Sequence, residues 1–336
     1  MASTNETAPT AAPLFTLARA GYLGVLVVLI ALPFFTKSFF VFQVTQMLVY
    51  AIAIMGLNFL TGINGQFSLG HGAFYAVGAY TTAIMVEMAG VHYALTLPAA
   101  GVICFMVGFL FGLPALRLEA IYLALATFAL AVATPQFLRL SVLEEFTGGV
   151  QGIVVFSETF DAPVPFGLPI DPGIWTYFFT LGVGILLYWL AKNLVASRTG
   201  RALMAIRDNP IAAQSMGVNT ALYKAAAFGI SALITGVAGG LSAIVVKFVA
   251  PDSFTFMLSV ALLVGIVVGG VGWLPGALIG AAFIVFVPNV AEEISKGLSG
   301  AIYGVFLILM IYLAPEGAGG LIHSGAGKLR RLFNSR

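Results

Sequence analysis

Few residues of this 336-residue chain are of types that do chemistry, and their spacing narrows what that chemistry can be. His71, His92 and His323 lie far apart, with no carboxylate at ligand spacing from any of them, so neither a metal centre nor a hydrolytic cluster is written into the sequence. Glu292 and Glu293 are adjacent and fall on different helical faces, as expected of a solvated helix end. Gly325-Ala326-Gly327-Lys328-Leu329 lacks the hydroxyl residue and the earlier glycine of a phosphate-binding loop, and its basic surroundings suit an anchor to anionic headgroups. If ATP drives this protein, another chain hydrolyses it. Cys104, the single cysteine, sits in an apolar stretch and reads as a small buried residue.

Two polar clusters remain. The first is Asn64, Gly65, Gln66, Ser68, Gly70 and His71, within the glycine-broken segment that runs from Gly62 to Ala73. Polar groups at membrane depth must find protein or water partners. They either satisfy backbone groups freed by a helix break or line a translocation path, and exposed N–H groups at such a break suit a carboxylate. A second glycine-rich interruption, Gly269 to Ala277, stands in the other half of the chain. Paired interruptions of this kind point to two related halves whose broken helices border a cavity.

The second cluster is the segment from Ser197 to Asn219, too polar to span and too patterned for a linker. It reads as two short helices. Asn209 before Pro210 is an N-cap and first-turn signature, and Gly217 suits a left-handed helix end. The small residues Ala202, Ala205, Ala212 and Ala213 allow close approach of another protein, with Arg201, Arg207 and Asp208 available for polar contacts.

The elements that hold these clusters are set by composition. Hydrophobic residues make up 60% of the chain and charged residues 8%, so a bilayer is the natural solvent. Charge-free runs occupy 20–36, 38–86, 88–116, 120–138, 172–191, 225–246, 253–291 and 297–315. At about 20 residues per crossing, with the two longest runs each supplying two, these give about ten transmembrane helices in an all-α polytopic fold. The apolar run after Arg19 has no small-residue cleavage pattern and reads as a retained first helix.

With the N-terminus and residues 192–224 both cytoplasmic, six spans separate them. Arg19, Arg117, Lys192, Arg198, Arg201, Arg207, Lys224, Lys328, Arg330, Arg331 and Arg336 then lie inside, and Lys37, Arg139, Lys247 and Lys296 outside. Eleven against four obeys the positive-inside rule. The expected organisation is a cytoplasmic segment 1–18, a transmembrane domain 19–316 with an external loop at 141–172 and a cytoplasmic segment at 192–224 suited to dock a partner, and a basic cytoplasmic tail 317–336. A net charge of +2 gives no reason to expect nucleic acid.

The sequence resembles the membrane permeases of branched-chain amino acid ABC importers, in their LivM-like branch. The likeness rests on Gly56-Leu57-Asn58 leading to Gly65-Gln66-Phe67-Ser68-Leu69-Gly70-His71-Gly72-Ala73-Phe74, on Gly78-Ala79-Tyr80, and on Leu116-Arg117-Leu118 with Tyr122-Leu123-Ala124 and Thr127. Thr147-Gly148-Gly149 with Gly152, the stretch Gly200-Arg201-Ala202 through Asn209 to Gly217, and Pro315-Glu316-Gly317 complete it. The resemblance implies a multi-pass protein of the bacterial inner membrane that forms a heterodimer with a related second permease subunit. Two ABC ATPase subunits that carry ATP and Mg, and a periplasmic substrate-binding protein, are implied as further partners. No cofactor is expected on this chain, and no enzymatic activity.

Ala212, Ala213 and Gly217 match a permease motif whose helix fits a groove on the ATPase. Ile211 stands where that motif has Glu, which leaves polar contact to Arg207 or Asp208. Permeases closely similar to these also serve urea, short amides and other small solutes. An ion-coupled secondary transporter is the competing class, but it usually keeps ionisable residues inside its spans, and Glu87, Glu119 and Arg139 all fall at expected span ends.

Overall fold

The computed structural model describes residues 12–115, 120–155, 171–295 and 298–321. Arg117, Glu119, Lys296, residues 156–170 of the expected external loop and most of the basic tail lie outside these residues, as do His323 and Lys328.

Each charge-free run is occupied by helix. In chain order they are α1 Ala12–Phe35, α2 Ser38–Asn58, α3 His71–Glu87, α4 Tyr93–Ala115, α5 Ala120–Leu138 and a single turn α6 Glu144–Thr147. Then come α7 Pro172–Ala196, α8 Arg198–Asp208, α9 Pro210–Ser215, α10 Thr220–Val246, α11 Phe256–Gly269, α12 Gly276–Ile294 and α13 Ser299–Leu313. Among the described residues, six helices are long and apolar enough to cross a membrane, or seven if the bent pair Tyr122–Leu138 and Ser141–Thr147 forms one span. Leu23–Phe35 and Phe256–Gly269 are shorter apolar helices. The chain is therefore a polytopic all-helical membrane protein, and length alone accounts for fewer crossings than the ten counted from charge-free runs.

Local sequence sets the boundaries. Asp171 caps α7 by accepting from the Gly173 N–H at 2.7 Å, with Pro172 in the first turn. Asn219 caps α10 by accepting from the Leu222 N–H at 3.1 Å. The continuation of α2 is less regular, because Phe59–Ile63 winds as a π-helical turn before the chain leaves helix altogether. Such turns widen the backbone ladder and often mark functional positions.

Helix α10 is the central post, packed against α4, α3 and α2. It gets close to them through small residues, as membrane helices do when no hydrophobic force drives them together. A Cβ placed on Gly78 of α3 would collide with the Gly236 backbone of α10. At the end away from α8, a two-residue strand β1 (Ile153–Val154) pairs antiparallel with β2 (Phe248–Val249), and Arg139 forms an ion pair with Asp252. That end joins the α5–α7 connection to the α10–α11 connection. The pairing gives both loops backbone partners.

Candidate functional site

The two glycine-rich interruptions meet. A Cβ on Gly62 would strike the Gly272 backbone and the Asn58 side chain. Asn58 holds the junction: its Oδ1 accepts from the Gly272 N–H at 2.8 Å, while its Nδ2 donates to the carbonyls of Trp273 at 3.1 Å and Gly270 at 3.4 Å. One amide side chain thus satisfies irregular backbone more than 200 residues away, which a low-dielectric setting makes important.

Beyond the junction, residues 65–70 run without helix back into the bundle. Gly65 takes a left-handed φ of 74°, a conformation that costs other residues a Cβ clash. From there burial alternates. Asn64, Gln66, Ser68 and His71 are buried in protein, whereas Gly65 and Phe67 face outward, Phe67 at 52% exposure. Asn64 Nδ2 donates to Gln66 Oε1, and the Gln66 carbonyl accepts from Thr61 Oγ1.

His71 opens α3 and is fully buried. Its Nδ1 lies 2.9 Å from Ser68 Oγ and its Nε2 lies 2.6 Å from Ser231 Oγ. Ser231 Oγ donates its one proton to the Gly56 carbonyl at 2.6 Å, so it accepts from His71, and the imidazole proton sits on Nε2. Nδ1 then accepts from Ser68, whose oxygen in turn accepts from the Gly70 N–H at 3.3 Å. Every member of this chain has a role with a neutral ring. Ser231 is eleven residues along α10, about 16 Å from its start at 1.5 Å per residue, which places His71 deep in the bundle.

Two further N–H groups at the start of α3 are also engaged. Leu69 N–H donates to Thr127 Oγ1 of α5 at 2.9 Å, and Gly72 N–H to Ser259 Oγ of α11 at 2.9 Å. Donors expected to stand bare at this helix start are thus covered by the local Ser68 hydroxyl and by hydroxyls from two other places in the chain. Asn58, Thr127, Ser231 and Ser259 were not singled out as site residues by sequence reasoning. The available signal was their polarity inside otherwise apolar helices, where each must find a partner.

At the same end as the junction, α8 and α9 form a capped corner. Ser197 caps α8 and Asn209 caps α9, the latter accepting from Ile211 N–H at 3.1 Å and Ala212 N–H at 3.0 Å. Helix α9 ends in a Schellman arrangement, with Val218 N–H donating to the Ala213 carbonyl at 3.1 Å and Gly217 N–H to that of Gln214 at 3.0 Å. Gly217 has φ of 83° and open space around it. Leu203 and Ile206 anchor α8 by burial, and Leu203 packs in one apolar cluster with Phe59, Leu60 and Ile63 of the π turn.

The two helices do not present all the residues that their sequence offers to a partner. Ala213 is buried within the chain, whereas Ala205 and Ala212 are exposed and Ala202 is half-buried. Arg201 Nη1 donates to the Ala196 carbonyl at the end of α7 at 3.0 Å. Arg207 pairs with Asp208 at 3.0 Å and turns inward. Ile211 at 76% exposure and Met216 at 87% protrude, and the Asp208 side chain is 67% exposed beside them.

This combination defines a class: a multi-span membrane component with broken helices inside and a capped, partly apolar corner at one end. The profile of the branched-chain amino acid transport system permease component family matches residues 39–314, and the chain belongs to that family. It is 32% identical to the high-affinity branched-chain amino acid transport system permease protein LivM of Salmonella typhimurium over 88% of this chain and 73% of that one. For LivM of Escherichia coli K12 the identity is 33% over the same shares. LivH of Salmonella typhimurium is 25% identical over 80% of this chain and 90% of its own length. No solved structure matches the chain. The chain is thus a permease component of a branched-chain amino acid transport system, a kind of subunit that does not itself catalyse ATP hydrolysis.

Proposed function

We propose that this chain forms half of an inner-membrane path for branched-chain amino acids, paired with a related second permease. Two ATPase subunits that carry ATP and Mg drive it from below, and a periplasmic binding protein delivers substrate from above. The similarity to both LivM and LivH supports a permease pair. The observation that carries the coupling role is the exposed apolar corner of α8 and α9, which projects Ile211 and Met216 from a bundle end rich in basic residues. In this reading the ten helices of the charge-free runs all belong to the membrane domain, as the two halves suggest. Both termini and residues 192–224 face the cytoplasm, and residues 141–172 lie outside.

The path runs beside Asn64, Gly65, Gln66, Ser68, Gly70 and His71. Opening of this segment frees the N–H groups now held by Ser68, Thr127 and Ser259, and these then receive the substrate carboxylate.

Ile211→Asp combined with Met216→Asp tests the docking corner without touching the core. Neither side chain is buried, so the variant protein stays in the membrane at normal abundance. Truncating apolar anchors at a protein interface commonly costs ~2 kcal/mol or more, on the order of 30-fold in affinity. The ATPase should therefore be lost on pull-down and leucine uptake should fall to background. Retention of the ATPase with normal uptake would move the docking role elsewhere. Ala213→Glu is a poor substitute, because Ala213 packs within its own chain and its loss disturbs the corner itself.

A further inference from the structure

Arg207 connects the docking corner to the glycine breaks. Its Nη1 donates to the Gly62 carbonyl at 2.9 Å, inside the π turn that ends α2. Its aliphatic stem lies over Gly65, where an added Cβ would come within 2.6 Å of Cγ. Its Nε and Nη2 both hold Asp208 Oδ1 at 3.0 Å, which fixes the fork in this orientation. Gly62 in turn packs on Gly272, and Asn58 ties the second break to the first. A continuous set of contacts therefore runs from α8 through the first break to the second, beside the packing of Leu203 on Phe59, Leu60 and Ile63.

We propose that Arg207 is a positioning residue that passes movement of the α8–α9 corner to both glycine breaks. This rests on the reading of that corner as the ATPase contact. Energy coupling needs a physical element that two sites both bias, and a guanidinium clamped between a cytoplasmic helix and a carbonyl of the π turn supplies one. An arginine is suited to this because one rigid fork serves Asp208 and Gly62 together. Lysine offers a single ammonium and cannot hold both in that geometry. The glycine at position 65 is needed on two counts, its left-handed φ and the space taken by the arginine stem.

The test uses the whole assembly in proteoliposomes, with leucine as substrate, and reads ATPase attachment, ATP hydrolysis and leucine uptake separately. Arg207→Ala should keep the ATPase attached and hydrolysing while uptake drops by about tenfold or more, within the ~5- to 150-fold range of coupling between sites. ATP consumed per leucine therefore rises. Arg207→Lys, which keeps one donor for the Gly62 carbonyl, should recover part of the uptake. Gly65→Ala pushes the arginine aside and should uncouple in the same way, with the double variant no worse than the worse single one. Normal uptake in Arg207→Ala overturns the proposal, as does a parallel fall of hydrolysis and uptake. Detachment of the ATPase in Arg207→Ala would also overturn it, making Arg207 a docking residue. Failure of the corner itself shows differently, as an ATPase that stays bound when Ile211 and Met216 are both replaced by Asp.

Discussion

Gly62→Ala should sharply reduce the amount of folded protein recovered from membranes, although it adds a single methyl group. That methyl would enter the Gly272 backbone and the Asn58 amide, so the two broken segments must part. Overpacking alone costs about 1–3 kcal/mol. Separating the segments also breaks the Asn58 hydrogen bonds to Gly272 and Trp273, each worth ~0.5–1.5 kcal/mol net, and leaves their partners unpaired. A combined loss of roughly 3 kcal/mol or more follows. Thermal stability in detergent measures it directly. A variant as stable as the parent would mean that the breaks do not touch.

His71→Leu is expected to cost nearly as much for a different reason. Leucine fills a similar volume but removes the acceptor for Ser68 and the donor to Ser231, two buried hydrogen bonds at ~1 kcal/mol each, and it strands polar groups that cannot reach water. The total is about 2–4 kcal/mol. Ser231→Ala in the His71→Leu background separates the network from mere packing. If the chain from Gly70 to Gly56 acts as one unit, the double variant loses less than the sum of the singles. Strict additivity would show that the ring and the serine contribute independently.

Those two sites illustrate what a reader of the sequence can and cannot see. The capped corner was legible because its rules are local: Asn209 before Pro210 starts a helix, and Gly217 can take a left-handed φ at its end. Polytopic character was legible from the scarcity of charge. Crossings were harder, since a charge-free run marks apolar sequence but not the length of straight helix inside it. The run 253–291 holds Phe256–Gly269, only 14 residues long, before the second break.

Partners across the fold were not legible at all. Asn58 reaches Gly272, and His71 reaches Ser231, over separations that no periodicity encodes. Ala213 was read as part of an outward face because it is small. It is instead buried at the turn, where its carbonyl accepts from Val218 and Met216. Arg207 has the type of a surface ion-pair residue and does pair with Asp208, yet it also reaches the Gly62 carbonyl of the π turn, a contact that no local pattern encodes. Among the residues left exposed at the corner, Ile211 and Met216 are the apolar ones that a charge-based reading passes over.

The central claim is that the α8–α9 corner faces the cytoplasm and touches an ATPase subunit, and one crosslinking measurement tests both halves. A photoreactive residue is placed at Met216 or at Val142, both more than 80% exposed and near opposite ends of the bundle. Cells expressing the whole assembly are irradiated and the adducts are identified by mass. Position 216 should give an adduct with the ATPase subunit, and position 142 should give none. An ATPase adduct from position 142, or its absence from 216 in a transport-competent assembly, would contradict the account.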